Sequence, residues 1–158
     1  MTMDSLDRSI LNALQQDSDR SHAQIGELVG LSGSAVRRRV EAMRRSGVIA
    51  RTVALVGDNV DGAGILVVVT VSFERETPAA YEAFRAAMRK DERVLQCYAT
   101  SGQFDFVLVV AAASPHDYER WGERTLMANA ALRRYDSFVV WSTVKFDTAR
   151  PMFDVTSS

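Results

Sequence analysis

The spacing of apolar residues changes between residues 51 and 65, and this change most limits the possible folds. Up to residue 51 the apolar residues recur at the three- and four-residue spacing of helices. From residue 65 onward, runs rich in β-branched residues alternate with helix-like segments. The chain has 158 residues, of which 47% are hydrophobic, enough for two small packed domains. We therefore predict a helical domain followed by an α+β domain.

Turn-forming residues mark the boundary between these two parts. Residues 57–64 are rich in glycine and aspartate and lack a periodic face. The apolar stretch 48–56 just before them predicts a strand leaving the helices. The predicted organisation is a first domain of residues 1–51, a strand and linker over 52–64, a second domain of 65–147 and a tail of 148–158. The tail is expected to be ordered only if it docks on another part of the protein.

The first part reads as three helices, at about residues 6–14, at 22–29 with Ser21 as the cap, and at about 34–45. A four-residue turn with two glycines joins the second helix to the third, which is the helix-turn-helix arrangement. In the third helix Val36, Val40 and Met43 form one apolar stripe. Gly47 suits the left-handed position after that helix.

Positive charge is concentrated on this third helix and just after it. Between residues 37 and 51 there are six arginines and one acidic residue, whereas the whole chain has a net charge of −1. Arginine binds phosphate, or guanine through two hydrogen bonds. A recognition helix needs such residues on the side opposite its buried stripe. The candidate DNA-contacting residues are Ser32, Ser34, Arg37, Arg38, Arg39 and Arg45.

Two of these residues have alternative roles, and the whole run has another interpretation. Ser32 either caps the helix or donates to phosphate. Arg39 lies beside the apolar stripe, and its alternative role is to support the fold. A run of charges is also typical of a solvated helix face. The preceding turn and the scarcity of acidic residues favour DNA binding.

The second part has the order strand, helix, strand, strand, helix, strand, which is the ferredoxin-like βαββαβ arrangement. The strands are predicted at 65–73, 94–100, 104–112 and 132–146, with helices opening at Thr77 and Ser114. The last strand has its apolar centre at residues 138–141, so Trp141 is expected to be packed, and Cys97 to be a small buried residue. Both sides of the first strand are apolar, so the sheet face without helices needs a cover, which a second subunit would provide.

Several segments together resemble the leucine-responsive regulator/asparagine regulator (Lrp/AsnC) family of transcription factors. The segments are 6–11 (LDRSIL), 25–32 (IGELVGLS), 38–40 (RRV), 46–49 (SGVI), 101–106 (SGQFDF) and 144–145 (VK). The resemblance covers the whole chain and implies a winged-helix-like DNA-binding domain, a ligand-sensing domain and a dimer. Gly26 and Gly33 stand where the family usually has alanine and often proline, and are expected to reduce the rigidity of the turn.

The turn at Gly102 is the candidate effector site. Glycine exposes backbone N–H groups, and Asp105 offers a carboxylate to an ammonium group. The alternative is an ordinary hairpin turn that Asp105 stabilises. The resemblance implies an effector pocket between dimers, with strand residues 138–140 more suited to core or interface than to direct contact. The residues matched to that pocket are Ala99, Thr100, Ser101, Gly102, Asp105, Phe138, Val139 and Val140.

These observations predict a cytoplasmic, DNA-binding transcription regulator that forms at least a homodimer, with a higher oligomer such as an octamer expected. Its expected partners are an operator duplex and a small-molecule effector, most simply an amino acid. We expect no cofactor, no metal and no membrane association, because His22 and His116 stand alone and no apolar run is long enough to cross a bilayer. One alternative is a ligand-binding or oligomerisation module whose helical part docks a protein. Another is a small ferredoxin-like enzyme, although no catalytic constellation is visible.

Overall fold

The computed structural model describes residues 2–57, 60–75 and 77–152. Asp58 and Asn59 of the predicted linker, and residues 153–158 of the predicted tail, lie outside the described residues. The chain divides into two compact units, one of residues 1–55 with 145–158 and the other of residues 56–144. Among the described residues, no helix combines the length and apolar character needed to cross a bilayer.

The first unit consists of three helices: α1 (Ser5–Gln16), α2 (His22–Val29) and α3 (Gly33–Arg45). Each begins at a side-chain cap, because the carboxylate of Asp4, the hydroxyl of Ser21 and the hydroxyl of Ser32 accept a backbone N–H of the first turn. The three predicted helices are thus confirmed. Gly47 has the left-handed φ of 77° expected after α3.

Seven buried residues from all three helices form the core of this unit: Ile10, Leu11, Ala13, Ile25, Val36, Val40 and Met43. The last three are the predicted stripe of α3, so one side of that helix is fixed inward. After residue 144 the chain contributes again to this unit, where Met152 packs against the core and Gln15 exchanges hydrogen bonds with Arg150.

Gly26 has a role different from the one expected from the sequence. It is buried in α2, and a Cβ built on it would lie 2.4 Å from the carbonyl oxygen of Leu31. The backbone N–H of Leu31 donates to the carbonyl of Gly26 at 2.9 Å. The glycine therefore permits a close approach of the turn to α2, which tightens the turn instead of loosening it.

The second unit is a four-stranded antiparallel sheet with helices. Its elements are β1 (Ile65–Phe73), α4 (Pro78–Lys90), β2 (Val94–Ala99), β3 (Phe106–Ala112), α5 (Pro115–Gly122), a π-helical turn (Glu123–Met127) and β4 (Leu132–Val139). The strand order is β2-β3-β1-β4, so β2 and β4 are the edge strands. This order of elements confirms the predicted βαββαβ arrangement and the α+β class.

The core of the second unit lies on one side of β1. Val67, Val69 and Val71 are fully buried there and pair with buried residues of β3. Phe84 and Met88 of α4, with Trp121 of α5, complete the packing. The indole N–H of Trp121 donates to Asp91 at 2.6 Å, so its polar atom is also satisfied.

The opposite face of the sheet has no helix in the described chain and remains largely apolar. Val68 pairs with Val109 on β3 and with Phe138 on β4, so the three side chains share this face. Thr70 and Val107 follow them on the same side. We call the set of Leu66, Val68, Val107, Val109 and Phe138 the open sheet face.

Two of the strand predictions were wrong. The predicted strand at 48–56, before the linker, is absent, because no segment of the described chain pairs with these residues. The last strand ends at Val139 and not at residue 146, since its β1 partners end at Val67. Beyond that point Trp141 is 96% exposed, so the prediction that it packs in a central strand was also wrong. Cys97, predicted to be buried, is exposed on edge strand β2.

Candidate functional site

The exposed side of α3 carries most of the predicted DNA-contacting residues. Ser34, Arg38 and Arg45 are exposed, opposite the buried stripe. In the described part of the chain, neither Arg38 nor Arg45 forms an ion pair. Both guanidinium groups are therefore available to an external anion.

Arg37 is also exposed but has a partner within its own helix. Its Nε donates to Oε1 of Glu41 at 2.8 Å, one helical turn further on. This contact raises the pKa of Arg37 above its ordinary value. Because the pair is exposed and close in sequence, it is weak and leaves the other N–H groups of Arg37 free to bind phosphate.

Ser32 has the capping role that the sequence left as one of two alternatives. Its Oγ accepts the backbone N–H of Ala35 at 3.2 Å and lies 3.1 Å from the hydroxyl of Ser34. Both hydroxyls therefore stand at the N-terminus of α3, where phosphate oxygens are favoured by the helix dipole and by free backbone N–H groups.

Arg39, one of the predicted DNA-contacting residues, has partners within the protein, which favours the alternative role in supporting the fold. Its Nη1 donates to Asp4 at 2.8 Å and to Asp7 at 2.7 Å, both at the start of α1. The side chain is only 28% exposed. Arg39 is turned toward the protein because it stands beside the buried stripe, and it supports the fold as the sequence alternative proposed.

The second candidate region is the loop between β2 and β3. Gly102 has a φ of 146°, a backbone conformation that favours glycine, and a Cβ there would meet open space. The backbone N–H groups of residues 101–104 donate to no acceptor within the described residues. The loop therefore presents a group of free backbone donors to an incoming anion.

Asp105 holds this loop in place. Its carboxylate accepts the backbone N–H of Phe73 at 2.7 Å and the hydroxyl of Tyr81, while its own N–H donates to the carbonyl of Val71. Both carboxylate oxygens are therefore engaged by protein donors. These contacts match the turn-stabilising alternative and not a carboxylate that is free for an ammonium group.

One chain does not bring the predicted effector residues together. Residues 99–105 form the end of β2 and the loop after it. Phe138, Val139 and Val140 lie on β4 or just after it. Strands β3 and β1 lie between the two edge strands, so β2 and β4 are separated by three strand spacings, roughly 14 Å at ~4.8 Å per spacing. Phe138 and Val139 are more than half exposed, so they are not core residues of the described chain.

A cavity of about 400 Å³ lies beside the loop, between α4 and β2. Its floor includes Met88 and Phe106, and its rim carries Arg85 and Arg89. Ala99 is the only residue of the predicted effector set among its lining residues in the described part of the chain. Cys97 also lines this cavity, and partial desolvation there raises the pKa of its thiol although the residue is exposed on β2. Within the described residues no group of three or more His, Cys, Asp or Glu side chains is placed to bind a metal.

Comparison with known proteins identifies both units. Residues 3–44 match the AsnC-type helix-turn-helix domain, and residues 66–150 match the Lrp/AsnC ligand binding domain. An uncharacterized HTH-type transcriptional regulator of Haemophilus influenzae is 35% identical over 147 residues, which span 93% of this chain and 88% of that protein. The leucine-responsive regulatory protein of Salmonella typhimurium is 32% identical over 90% of this chain and 87% of its own length.

Solved structures agree with this assignment. A transcriptional regulator from Neisseria meningitidis in complex with L-Met superposes with a TM-score of 0.83 at 27% identity, over 95% of this chain and 97% of that one. An AsnC family regulator from Agrobacterium tumefaciens gives a TM-score of 0.82 at 29% identity, over 94% and 97%. The two units thus define a helix-turn-helix transcription regulator with a ligand-binding domain. The chain belongs to the Lrp/AsnC family.

Proposed function

We propose that this regulator reads operator DNA with the exposed side of α3. The observation that carries the proposal is that Arg38 and Arg45 lie on one side of the helix after the turn, without an ion pair among the described residues. In this arrangement Ser34 and Arg38, near the N-terminal end, reach base edges. Ser32, Arg37 and Arg45 contact phosphates, which set the position of the helix on the duplex.

The test is the DNA affinity of Arg38→Ala measured over a series of salt concentrations. The probe is the fragment upstream of the protein's own gene that the wild type binds most tightly in a gel shift. Loss of one good base contact is worth ~1–3 kcal/mol, so affinity is expected to fall roughly 5- to 150-fold. Arg124→Ala, an exposed arginine of the second unit, is the matched control and keeps wild-type affinity. Equal affinities of wild type and Arg38→Ala at every salt concentration would count against α3 as the reading helix.

We further propose that the effector is an amino acid bound at the loop of residues 99–105. Its carboxylate accepts the free backbone N–H groups around Gly102, and Asp105 keeps the loop in the required conformation. Phe138, Val139 and Val140 of a second copy complete the pocket, because one chain keeps them at the far edge of the sheet. The complex of the Neisseria meningitidis relative with L-Met supports an amino-acid ligand.

Titration calorimetry against the twenty amino acids tests this assignment, with L-Met measured first. Binding of at least one amino acid at sub-millimolar concentration is expected, and an absence of heat for all twenty would discard amino-acid sensing. A protein whose ligand changes its assembly or its DNA affinity must bind that ligand differently in its two states. The mass in solution is therefore to be measured with and without the amino acid that binds.

A homodimer joined through the open sheet face accounts for the apolar surface that the described chain leaves uncovered. A dimer with its two α3 helices about one DNA turn (~34–36 Å) apart, or a multiple of it, reads a palindromic site. We also propose that dimers associate into a larger ring such as an octamer. The regulator is further proposed to act in the cytoplasm and to catalyse no reaction.

A further inference from the structure

Arg39 forms a closed set of contacts with the two carboxylates at the start of α1. One nitrogen, Nη1, donates to Oδ2 of Asp4 at 2.8 Å and to Oδ1 of Asp7 at 2.7 Å. The other oxygen of each carboxylate is used for the helix cap. The backbone N–H of Asp7 donates to Oδ1 of Asp4 at 2.7 Å, and the backbone N–H of Asp4 donates to Oδ2 of Asp7 at 3.2 Å. All four carboxylate oxygens are therefore engaged, and we call this arrangement the Arg39 clamp.

Burial of Asp7 makes the loss of this clamp more costly than the loss of a surface ion pair. Asp7 is 3% exposed and lies one helical turn before the core residues Ile10 and Leu11. A buried carboxylate is strongly destabilising if its partner is lost. The backbone N–H of Asp7 and the guanidinium of Arg39 lower the pKa of Asp4, so the Asp4 carboxylate is charged at neutral pH.

The Arg39 clamp fixes the orientation of α3 in a way that the apolar contacts of this helix do not. Val36, Val40 and Met43 hold the helix against the core, but apolar contacts are non-directional and tolerate small rotations and shifts. Charge-assisted hydrogen bonds are directional and short. A fixed link from the middle of α3 to the first turn of α1 therefore limits both the rotation of α3 about its axis and its movement along that axis.

Arg39 is also next in sequence to Arg38, the residue proposed to read DNA. Because neighbouring residues of a helix differ by about 100° in direction, Arg39 faces α1 while Arg38 faces solvent. We propose that Arg39 is a positioning residue, whose ion pairs with Asp4 and Asp7 hold α3 in the orientation in which Arg38 and Ser34 reach bases. This inference rests on the proposed function of α3 as the reading helix.

The primary experiment compares Arg39→Gln and Arg39→Lys with the wild type on the tightest-bound upstream fragment, over a series of salt concentrations. For the folded Arg39→Gln variant we expect about tenfold weaker DNA binding. This loss lies in the lower part of the range of affinity changes expected when one base contact is lost. The slope of log affinity against log salt is expected to be unchanged, since Arg39 does not contact phosphate. Arg39→Lys, which keeps a charged donor, is expected to recover most of the affinity. Arg45→Ala is the reference for a lost phosphate contact and lowers the slope by about 0.9.

Two results would overturn the inference. A slope lowered by about 0.9 in Arg39→Gln would mean that Arg39 itself binds phosphate. Unchanged affinity in a folded Arg39→Gln variant would mean that the clamp has no effect on DNA reading. The folded state is checked by circular dichroism at the temperature of the binding measurement, so that a loss of affinity is not a loss of folded protein.

A double-mutant cycle tests whether Arg39 acts through its ion pairs. If it does, Arg39→Gln costs less DNA affinity in an Asp7→Asn background than in the wild type, because only the pair with Asp4 remains there, whereas additive losses would overturn the inference. Should Arg39→Gln fail to fold, Asp4→Asn replaces it, because asparagine keeps the helix cap and removes one ion pair. That variant is expected to show a smaller loss of affinity at an unchanged slope, and full wild-type affinity would contradict the inference.

The failure of this inference differs from the failure of the proposed function. If α3 does not read DNA, Arg38→Ala and Arg45→Ala bind all fragments as the wild type does, and the proposed function is overturned. If α3 reads DNA but the clamp does not position it, the Arg38 and Arg45 variants are weakened while folded Arg39→Gln is not.

Discussion

The two units of this regulator differ in how much of the proposed site one chain supplies. In the first unit, α3 places Ser34, Arg38 and Arg45 on one exposed side by helical geometry alone. In the second unit, the predicted effector residues lie on opposite edges of the sheet, around the loop after β2 and on β4. The comparison teaches that one chain brings together the residues proposed to read DNA, whereas it does not bring together the residues proposed to bind the effector.

The largest expected effect comes from a charge in the centre of the open sheet face. Val68→Asp places a carboxylate where a second copy is proposed to pack, and an unpaired buried charge is strongly disfavoured. We expect the dimer to dissociate at micromolar concentration in analytical ultracentrifugation, with loss of effector binding. DNA affinity is expected to fall as well, because two linked reading helices bind more tightly than one.

The matched control is Val68→Thr, which keeps the shape of the side chain without a charge and is expected to leave the dimer intact. A Val68→Asp protein that remains a dimer and still binds the effector would break the comparison. The open sheet face would then not be the interface.

A smaller effect is expected at the loop of the second unit. Gly102→Ala forces a side chain into a φ of 146°, at a cost of ~1–3 kcal/mol, so effector affinity is expected to fall about tenfold or more. DNA binding without effector is expected to be unchanged. Gly57→Ala is the control, because Gly57 is not in the positive-φ region and a Cβ there meets no atom. Equal calorimetric affinities of Gly102→Ala and the wild type would remove this loop from the site.

The smallest effect concerns an ion pair of the second unit that parallels the Arg39 clamp. The backbone N–H of Ala113, with the guanidinium of Arg93, holds the pKa of Asp117 at about 2, below its ordinary 3.8. A carboxylate whose pKa is lowered by folding stabilises the folded state at pH values above its ordinary pKa. This stabilisation is lost as the pH falls from the ordinary pKa to the pKa of the folded state. The difference in unfolding free energy between wild type and Asp117→Asn is therefore expected to be constant from pH 7 to about 5.

That difference is expected to shrink between about pH 4 and pH 2, as measured by denaturant unfolding of the full chain with tryptophan fluorescence as the probe. Asp136→Asn, at an exposed ion pair with Arg134, is a control expected to show little difference at any pH. A difference for Asp117 that persists undiminished at pH 2 would contradict this account.

The distance along the chain between interacting residues explains how much of the structure could be predicted from the sequence. The helices and their caps were predictable because Ser21 and the stripe of Val36, Val40 and Met43 act within a few residues of one another. The order of the sheet's elements was predictable for the same reason. The strand at 48–56 and the extension of the last strand past Val139 were wrong, because a strand exists only where another segment supplies hydrogen bonds.

The candidate sites show the same limit. Arg38 and Arg45 were predictable from the helical wheel, and Gly102 from its place in a turn. The role of Arg39 depends on carboxylates 32 and 35 residues earlier in the chain, which no local pattern reveals. The signal that was present is the position of Arg39 beside the apolar stripe, together with Asp4 at a helix cap and Asp7 one turn before Ile10.

The most direct test of a site shared between subunits is complementation between two defective variants. Gly102→Ala impairs the loop and Phe138→Ala impairs the β4 edge, and each alone is expected to bind the effector weakly. The two proteins are dissociated, mixed and reassociated, and effector binding is then measured by calorimetry. Because some reassembled sites combine an intact loop from one copy with an intact β4 from the other, mixing is expected to restore part of the wild-type binding. If the mixture binds no better than the two variants measured separately, the effector residues act within a single chain and the account is contradicted.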